Sequence, residues 1–305
     1  MLQTKSAAAG LSITSNAILI VLKLVAGAIT GSIAIITEAV HSAIDLLASV
    51  VAFFSVRAAD EPADREHPYG HEKVENLAAT IEGMLILVGA GIIIFEATRR
   101  LMVGAEIQDL GVGIAVIAVS AGANLGVSTF LYRRARELES PALEGDAAHL
   151  RTDVLTSLGV LVGLLLVQIT GEPAFDAIAA LAVAGAIVVA GVRIITRSGR
   201  VLVDESLPAP ELDRVEAAIA AERARTPEIA GYHKLRARGA GARRYIDLHL
   251  QFHSGTSLEH AHEVAHAVRQ AIEAEIPHSE VLIHTEPEES YRPPEEAAKG
   301  PYRAG

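Results

Sequence analysis

Six stretches of the chain each run for about 20 mostly apolar residues, the length needed to cross the hydrocarbon core of a bilayer. They lie at Leu11 to Thr30, Ile33 to Val56, Leu77 to Ala97, Leu110 to Leu131, Ala147 to Ile169 and Phe175 to Ile195. A lipid-embedded segment must satisfy its backbone polar groups internally, so these stretches are predicted to be helices. The opening "MLQTKSAAAG" leads into the first stretch without a good small-residue cleavage site, and that stretch is read as a retained helix. Composition agrees: 50% of residues are hydrophobic, mean hydropathy is +0.34, and aromatics are only 4%. Packing must therefore rely on small and aliphatic side chains, which let membrane helices approach closely.

Lys5, the second-to-third connection (Arg57, Arg65, Lys73), the fourth-to-fifth (Arg133, Arg134, Arg136) and the residues after the sixth (Arg197, Arg200) hold most of the flanking basic charge. By the positive-inside rule all of these face the cytoplasm, together with both termini, while Arg99 and Arg100 are exceptions on the opposite side. A net charge of −11 argues against nucleic acid as a partner. The absence of cysteine rules out thiolate ligands, so any metal would be held by His, Asp, Glu, backbone or water.

From about Val201 the sequence becomes charged and amphipathic. The order read there is helix ("ELDRVEAAIAAERA"), strand ("GYHKLRARG"), strand ("RRYIDLHLQFH"), helix ("SLEHAHEVAHAVRQAIEAEI") and strand ("SEVLIHTEPE"). A small sheet of antiparallel neighbours with helices on one face is the expected solution. The expected organisation is a membrane domain at 1–204, a soluble domain at 205–288, and a disordered Glu/Pro-rich tail at 289–305.

Within the second stretch, His41 and Asp45 are four residues apart and share a helix face, and the fifth repeats the spacing with His149 and Asp153. One such pair is equally well explained as polar glue between helices. Two pairs on facing helices supply the two imidazoles and two carboxylates that a tetrahedral zinc site accepts, and the cation offsets the burial of two acids. In "DEPADREHPYGHEKVEN", Asp64, His67 and His71 lie where Pro68 and Gly70 can bend the chain onto one metal; an ordinary solvated loop is the alternative. Alternation in "RYIDLHLQFH" buries Ile246, Leu248, Leu250 and Phe252 and turns Tyr245, Asp247, His249 and His253 the other way. His233, His249, His262 and His284, with Glu286, are candidates for further metal binding, although His260, His262 and His266 on a helix are also compatible with simple solvation. No HExxH, nucleophile motif or spare general base beside an open metal position is found, and the chain is not expected to be an enzyme.

Four segments, "GSIAIITEAVHSAIDLLAS", "HPYGHEKVE", "ALEGDAAHLRTDVLTS" and "VLVDESLP" with the closing "VLIHTEP", together resemble the cation diffusion facilitator family, the bacterial type of zinc and iron(II) efflux transporters. The resemblance covers nearly the whole chain except the tail. It implies an inner (plasma) membrane homodimer with six transmembrane helices per protomer and a cytoplasmic α+β, ferredoxin-like (metallochaperone-like) domain. By motif, His41, Asp45, His149 and Asp153 take the transport site; Asp64, His67 and His71 take the loop site. His233, His249, His262 and His284 take the dimer-interface sites, and Lys73 with Asp204 takes a charge pair that ties the dimer near the membrane surface. Glu38 stands where many members have Asp, and Glu286 replaces the Asp of the last strand's "HxD". His41, where the bacterial branch often has an acid, implies a preference for zinc over cadmium. The expected activity is export of zinc in exchange for protons, because an imidazole can hold a proton or a metal but not both. Iron(II), manganese, cobalt and nickel remain alternative cargoes, and a metal receptor that signals without transport is an alternative of a different class.

Overall fold

A computed structural model describes residues 4–30, 33–103, 111–172 and 174–288; the expected tail at 289–305 lies outside the described residues. The chain divides into two compact units between Arg200 and Val201.

Among the described residues, six long helices make the first unit: α1 (Lys5–Thr30), α2 (Ile33–Ala59), α3 (Lys73–Val103), α4 (Gly111–Glu137), α5 (Pro141–Thr170) and α6 (Ala174–Leu202). Each contains most of one apolar stretch and extends beyond it. Among the described residues, α1, α3 and α6 are long and apolar enough by composition alone to cross a membrane. The other three carry more of the buried polar groups. The unit is inside-out relative to a soluble bundle: Ile18, Val25, Ile29, Val88, Phe95 and Ile169 are exposed, while Asn16, Asp45, Ser49, Glu82, Asp146 and His149 are buried. Such a surface is stable against lipid and not against water.

Local chemistry fixes where α5 begins and ends. Ser140 caps it by accepting from the Leu143 N–H, Pro141 occupies the first turn, and Gly171 closes it in the left-handed region at φ 76°. Close helix approach rests on glycine: a Cβ on Gly83 of α3 would lie 2.7 Å from Ile195 Cγ1 and 3.3 Å from the Gly191 carbonyl of α6. Arg100, an exception to the charge pattern, is neutralised in place: Nε donates to Glu96 at 3.2 Å and Nη1 to Asp176 of α6 at 3.2 Å. Its charge is therefore largely spent within the protein.

The second unit contains α7 (Ala209–Arg225), β1 (Ile229–Ala240), β2 (Arg243–Phe252), α8 (Leu258–Glu275) and β3 (Ser279–Pro287), in the expected order. The sheet runs β1-β2-β3. β1 and β2 are antiparallel, but β2 and β3 are parallel, which corrects the expectation of antiparallel neighbours throughout. The reason lies in the connection, since α8 carries the chain back along the sheet as a crossover helix does between parallel strands. Alternation along β2 buries Ile246, Leu248, Leu250 and Phe252 against Val215 and Ile219 of α7 and Val268 and Ile272 of α8. Both helices thus cover one face and leave the other to polar residues.

Candidate metal centre

α2 places Asp45, and α5 places His149 and Asp153, so that one ligand atom from each lies within 4.8 Å of the other two. His149 Nε2 sits 3.2 Å from Asp45 Oδ1, and His149 Nδ1 has no hydrogen-bond partner among the described residues. Asp45 and His149 are only 4% and 6% exposed. His41 lies one turn before Asp45 on α2, but its side chain lies outside the described residues. Two carboxylates and, once deprotonated, one imidazole nitrogen could balance a divalent cation and leave a position for a fourth ligand. Arg151, between His149 and Asp153 on α5, stacks over the Tyr132 ring at 4.0 Å.

Asp64, His67 and His71 also meet, in the loop between α2 and α3. Asp64 Oδ1 accepts from the backbone N–H groups of Glu66 and His67 at 2.8 and 2.6 Å, a local turn that fixes the acid in place. Gly70, at φ 88°, then lets the chain reverse so that His71 Nε2 comes within 3.0 Å of His67 Nδ1. The His67 N–H is the main reason the Asp64 carboxyl is held below the usual carboxylate range, and the Glu66 N–H and the two histidines add to it. A carboxylate kept ionised beside two imidazoles is an open, three-donor site.

On the polar face of the sheet, His233, His249 and His284 stand in register, one on each strand. Ring centroids are 5.1 Å apart for His233 and His249, and 4.6 Å for His249 and His284. Glu286 reaches two of them: Oε1 is 2.5 Å from His233 Nε2 and Oε2 is 3.0 Å from His249 Nδ1. The longer acid therefore bridges the pair, and the substitution for Asp keeps the carboxylate in the cluster. Partial burial works against the Glu286 charge, but hydrogen bonding from His249 and the proximity of His233 hold its carboxyl below the usual range. His284 belongs to the row but not to the set of donors that converge within 4.8 Å. His262 is not brought to this cluster. It is exposed on the outer side of α8, nearest the ring of His266 at 6.5 Å, because α8 turns Ala261, Val264 and Ala265 onto the core face of the sheet. Lys73 opens α3 in the first unit, while Asp204 belongs to the second and accepts from Arg238 Nη1 at 2.8 Å.

Polar residues absent from the sequence expectation surround the first cluster. Ser49, one turn from Asp45 on α2, donates to Asp146 Oδ1 at 2.9 Å, receives Asn16 Nδ2 at 2.9 Å, and meets Ser12 Oγ at 2.9 Å. Near the ends of the same helices, Lys5 Nζ lies 2.5 Å from Glu75 Oε1, and Ser140 Oγ donates to the other oxygen of Glu75. Lys23 Nζ donates to Ser42 Oγ at 2.7 Å. For Ser12, Asn16, Lys23, Ser42 and Ser49 an isolated polar residue in an apolar stretch was the available signal, but only the facing helix supplies the partner.

Comparison with known proteins gives a family match to both units. Residues 10–203 match the cation efflux transmembrane domain and residues 207–288 the cation efflux protein cytoplasmic domain. The chain is 34% identical over 281 residues to the cation-efflux pump FieF of Yersinia pestis, covering 92% of both chains. It is 33% identical over 278 residues to a transporter of Synechocystis sp. described as uncharacterized, covering 90% of this chain and 89% of the relative. Among solved structures, the metal-bound C-terminal domain of the CzcD transporter from Thermotoga maritima matches at 28% identity with a TM-score of 0.24, over 27% of this chain and 94% of that one.

Proposed function

The chain belongs to the cation efflux family of membrane transporters, and on that premise we propose that it exports zinc from the cytoplasm in exchange for protons. The observation that carries this reading is the convergence of buried Asp45 and His149 with half-buried Asp153 from two helices. His41, one helical turn from Asp45, is the fourth ligand. A set of two imidazoles and two carboxylates suits four-coordinate zinc. Both imidazoles must be deprotonated to bind it, so protons and metal compete for the same nitrogens. Facing a near-neutral cytoplasm, the site loads metal; facing a more acidic exterior, it takes up protons and releases the metal. Rocking between the two faces completes an alternating-access cycle.

In this reading all six helices span the inner membrane, both termini are cytoplasmic, and the protein is a homodimer. Residues 1–204 form the transmembrane domain, and 205–288 form a cytoplasmic domain of ferredoxin-like kind. Lys73 and Asp204 tie the copies together near the membrane surface. Zinc crosses as substrate, and the protein carries out no catalysis. The loop donors Asp64 and His67, both exposed, and half-buried His71, partly preset by the Asp64 turn, act as a cytoplasmic capture site.

Reconstitution in sealed vesicles with an imposed proton gradient tests the function. Zinc uptake should follow the gradient, and proton movement should accompany it. Gradient-driven movement of iron(II), manganese, cobalt or nickel in preference to zinc would reassign the cargo within the family. Metal that binds and changes the protein's shape but never crosses the bilayer would make it a receptor.

His233, His249, His284 and Glu286, with His262 contributed across the dimer, act as a regulatory site whose occupancy favours the inward-facing state. Alanine at both His233 and His249 is expected to flatten the dependence of transport rate on cytoplasmic zinc while leaving the maximal rate within about twofold. An unchanged zinc dependence would remove the regulatory role.

A further inference from the structure

Glu82 lies within α3, fully buried, and neither of its carboxylate oxygens has a hydrogen-bond partner among the described residues. It belongs to none of the three metal clusters. Space for it is made by Gly145 on α5, where a Cβ would collide with Glu82 Oε2 and lie 3.2 Å from the Ala79 Cα. Asp146, the next residue on α5, is also fully buried, and it is the charge that acts on Glu82. One Asp146 oxygen is held by Ser49, and the other has no partner among the described residues.

Two buried carboxylates on packed helices, each with an oxygen that has no partner among the described residues, are not both ionised at any tolerable cost. A cation could offset them, but close packing at Gly145 leaves Glu82 little room for one with its hydration shell. A proton removes the charge and needs no cavity. We propose that Glu82 is a proton-binding site of the transport cycle, protonated while the metal centre is empty and ionised when it is loaded. The proposal rests on the proton-exchange reading given above and places one of the exchanged protons on a named atom pair, Oε1 and Oε2 of Glu82.

Coupling follows from the layering of the helices. Asp146 is one turn from His149 on α5, and Ser49 is one turn from Asp45 on α2, so the Glu82 and Asp146 layer adjoins the metal layer. A divalent cation arriving there favours the charged form of nearby carboxyls. The Glu82 O–H bond then breaks, its electron pair stays on oxygen, and the proton passes to water. When the metal leaves, a proton returns. Of the ionisable groups on the helices packed against α3, Asp146 on α5 acts directly, while His149 and Asp153 on α5 and Asp45 on α2 form the metal centre. On α3 itself, Glu75 is engaged by Lys5 and Ser140, and α6 meets the neighbouring Gly83 with Gly191 and Ile195.

Two measurements on the full chain test this. In infrared difference spectra between metal-free and zinc-loaded protein, the native chain should lose a protonated-carboxyl carbonyl band on loading, and Glu82→Gln should lack that change. In vesicles, Glu82→Gln should still move zinc, with about one proton fewer per metal. Glu82→Asp, which keeps a carboxyl, should restore both the band and the ratio, which a purely structural role would not require. An unchanged band or an unchanged ratio in Glu82→Gln, beside native proton counterflow, overturns this inference alone. Native zinc transport without any proton movement overturns the exchange reading and this inference with it.

Discussion

Alanine at Asp45 or at Asp153 is expected to reduce gradient-driven zinc flux by on the order of 100-fold or more, since loss even of a group that merely supports a ligand costs about 10–100-fold. In the proposed site each acid would supply half of the negative charge facing the cation. Removing one leaves a divalent ion opposite a single carboxylate in a site where Asp45 and His149 are almost wholly buried, and an uncompensated buried charge is the expensive outcome. The measurement is initial zinc uptake in vesicles, alongside size-exclusion and circular-dichroism controls showing that each variant is folded. Undiminished flux in both variants would remove these residues from the transport site. Loss in Asp45→Ala alone would shift the site toward α2, with Asp153 as an onlooker.

The largest expected loss of stability comes from Glu75→Ala. Glu75 is 1% exposed and joins three helices near their starts, taking Lys5 of α1 on one oxygen and the cap residue of α5, Ser140, on the other. Truncation would leave the Lys5 ammonium, itself only partly exposed, without its counter-charge. Removing one partner of such a pair costs about 3–5 kcal/mol, whereas replacing both by apolar residues of similar volume is often nearly neutral. Glu75→Ala should therefore unfold in detergent at markedly lower temperature, and Lys5→Met with Glu75→Leu should recover much of the difference. A single variant within about 1 kcal/mol of native, the scale of a solvated surface pair, would mean that water already reaches this junction.

How much of this was legible before the structure depends on whether the partner lay on the same element. His149 and Asp153 share α5 at a spacing that alone brings them to one face, and Asp64, His67 and His71 sit in one short loop. Alternation likewise exposed the polar face of β2. By contrast, no spacing in the sequence announces the two contacts of Glu286. It meets His233 and His249 only because β3 lies parallel to β2, in a register that pairs His249 with His284. That direction depends on how α8 crosses the sheet, which composition does not encode. Glu82 and Asp146 were hidden for a similar reason. Nothing in either acid's own segment announces the other, and their significance arises only from α3 packing on α5 at Gly145.

The row of His233, His249 and His284 has a consequence for how the cytoplasmic sheet tolerates change. The ligands of the proposed regulatory site and the core alternate along the same strand, with His249 between Leu248 and Leu250. A slip of one residue between strands would scatter the ligands and at the same moment turn the oily residues outward. Metal affinity thus doubles as a gauge of strand alignment. An insertion or deletion in either strand that spares every ligand should still betray itself as lost metal binding, and pressure to keep the ion guards the core as a by-product.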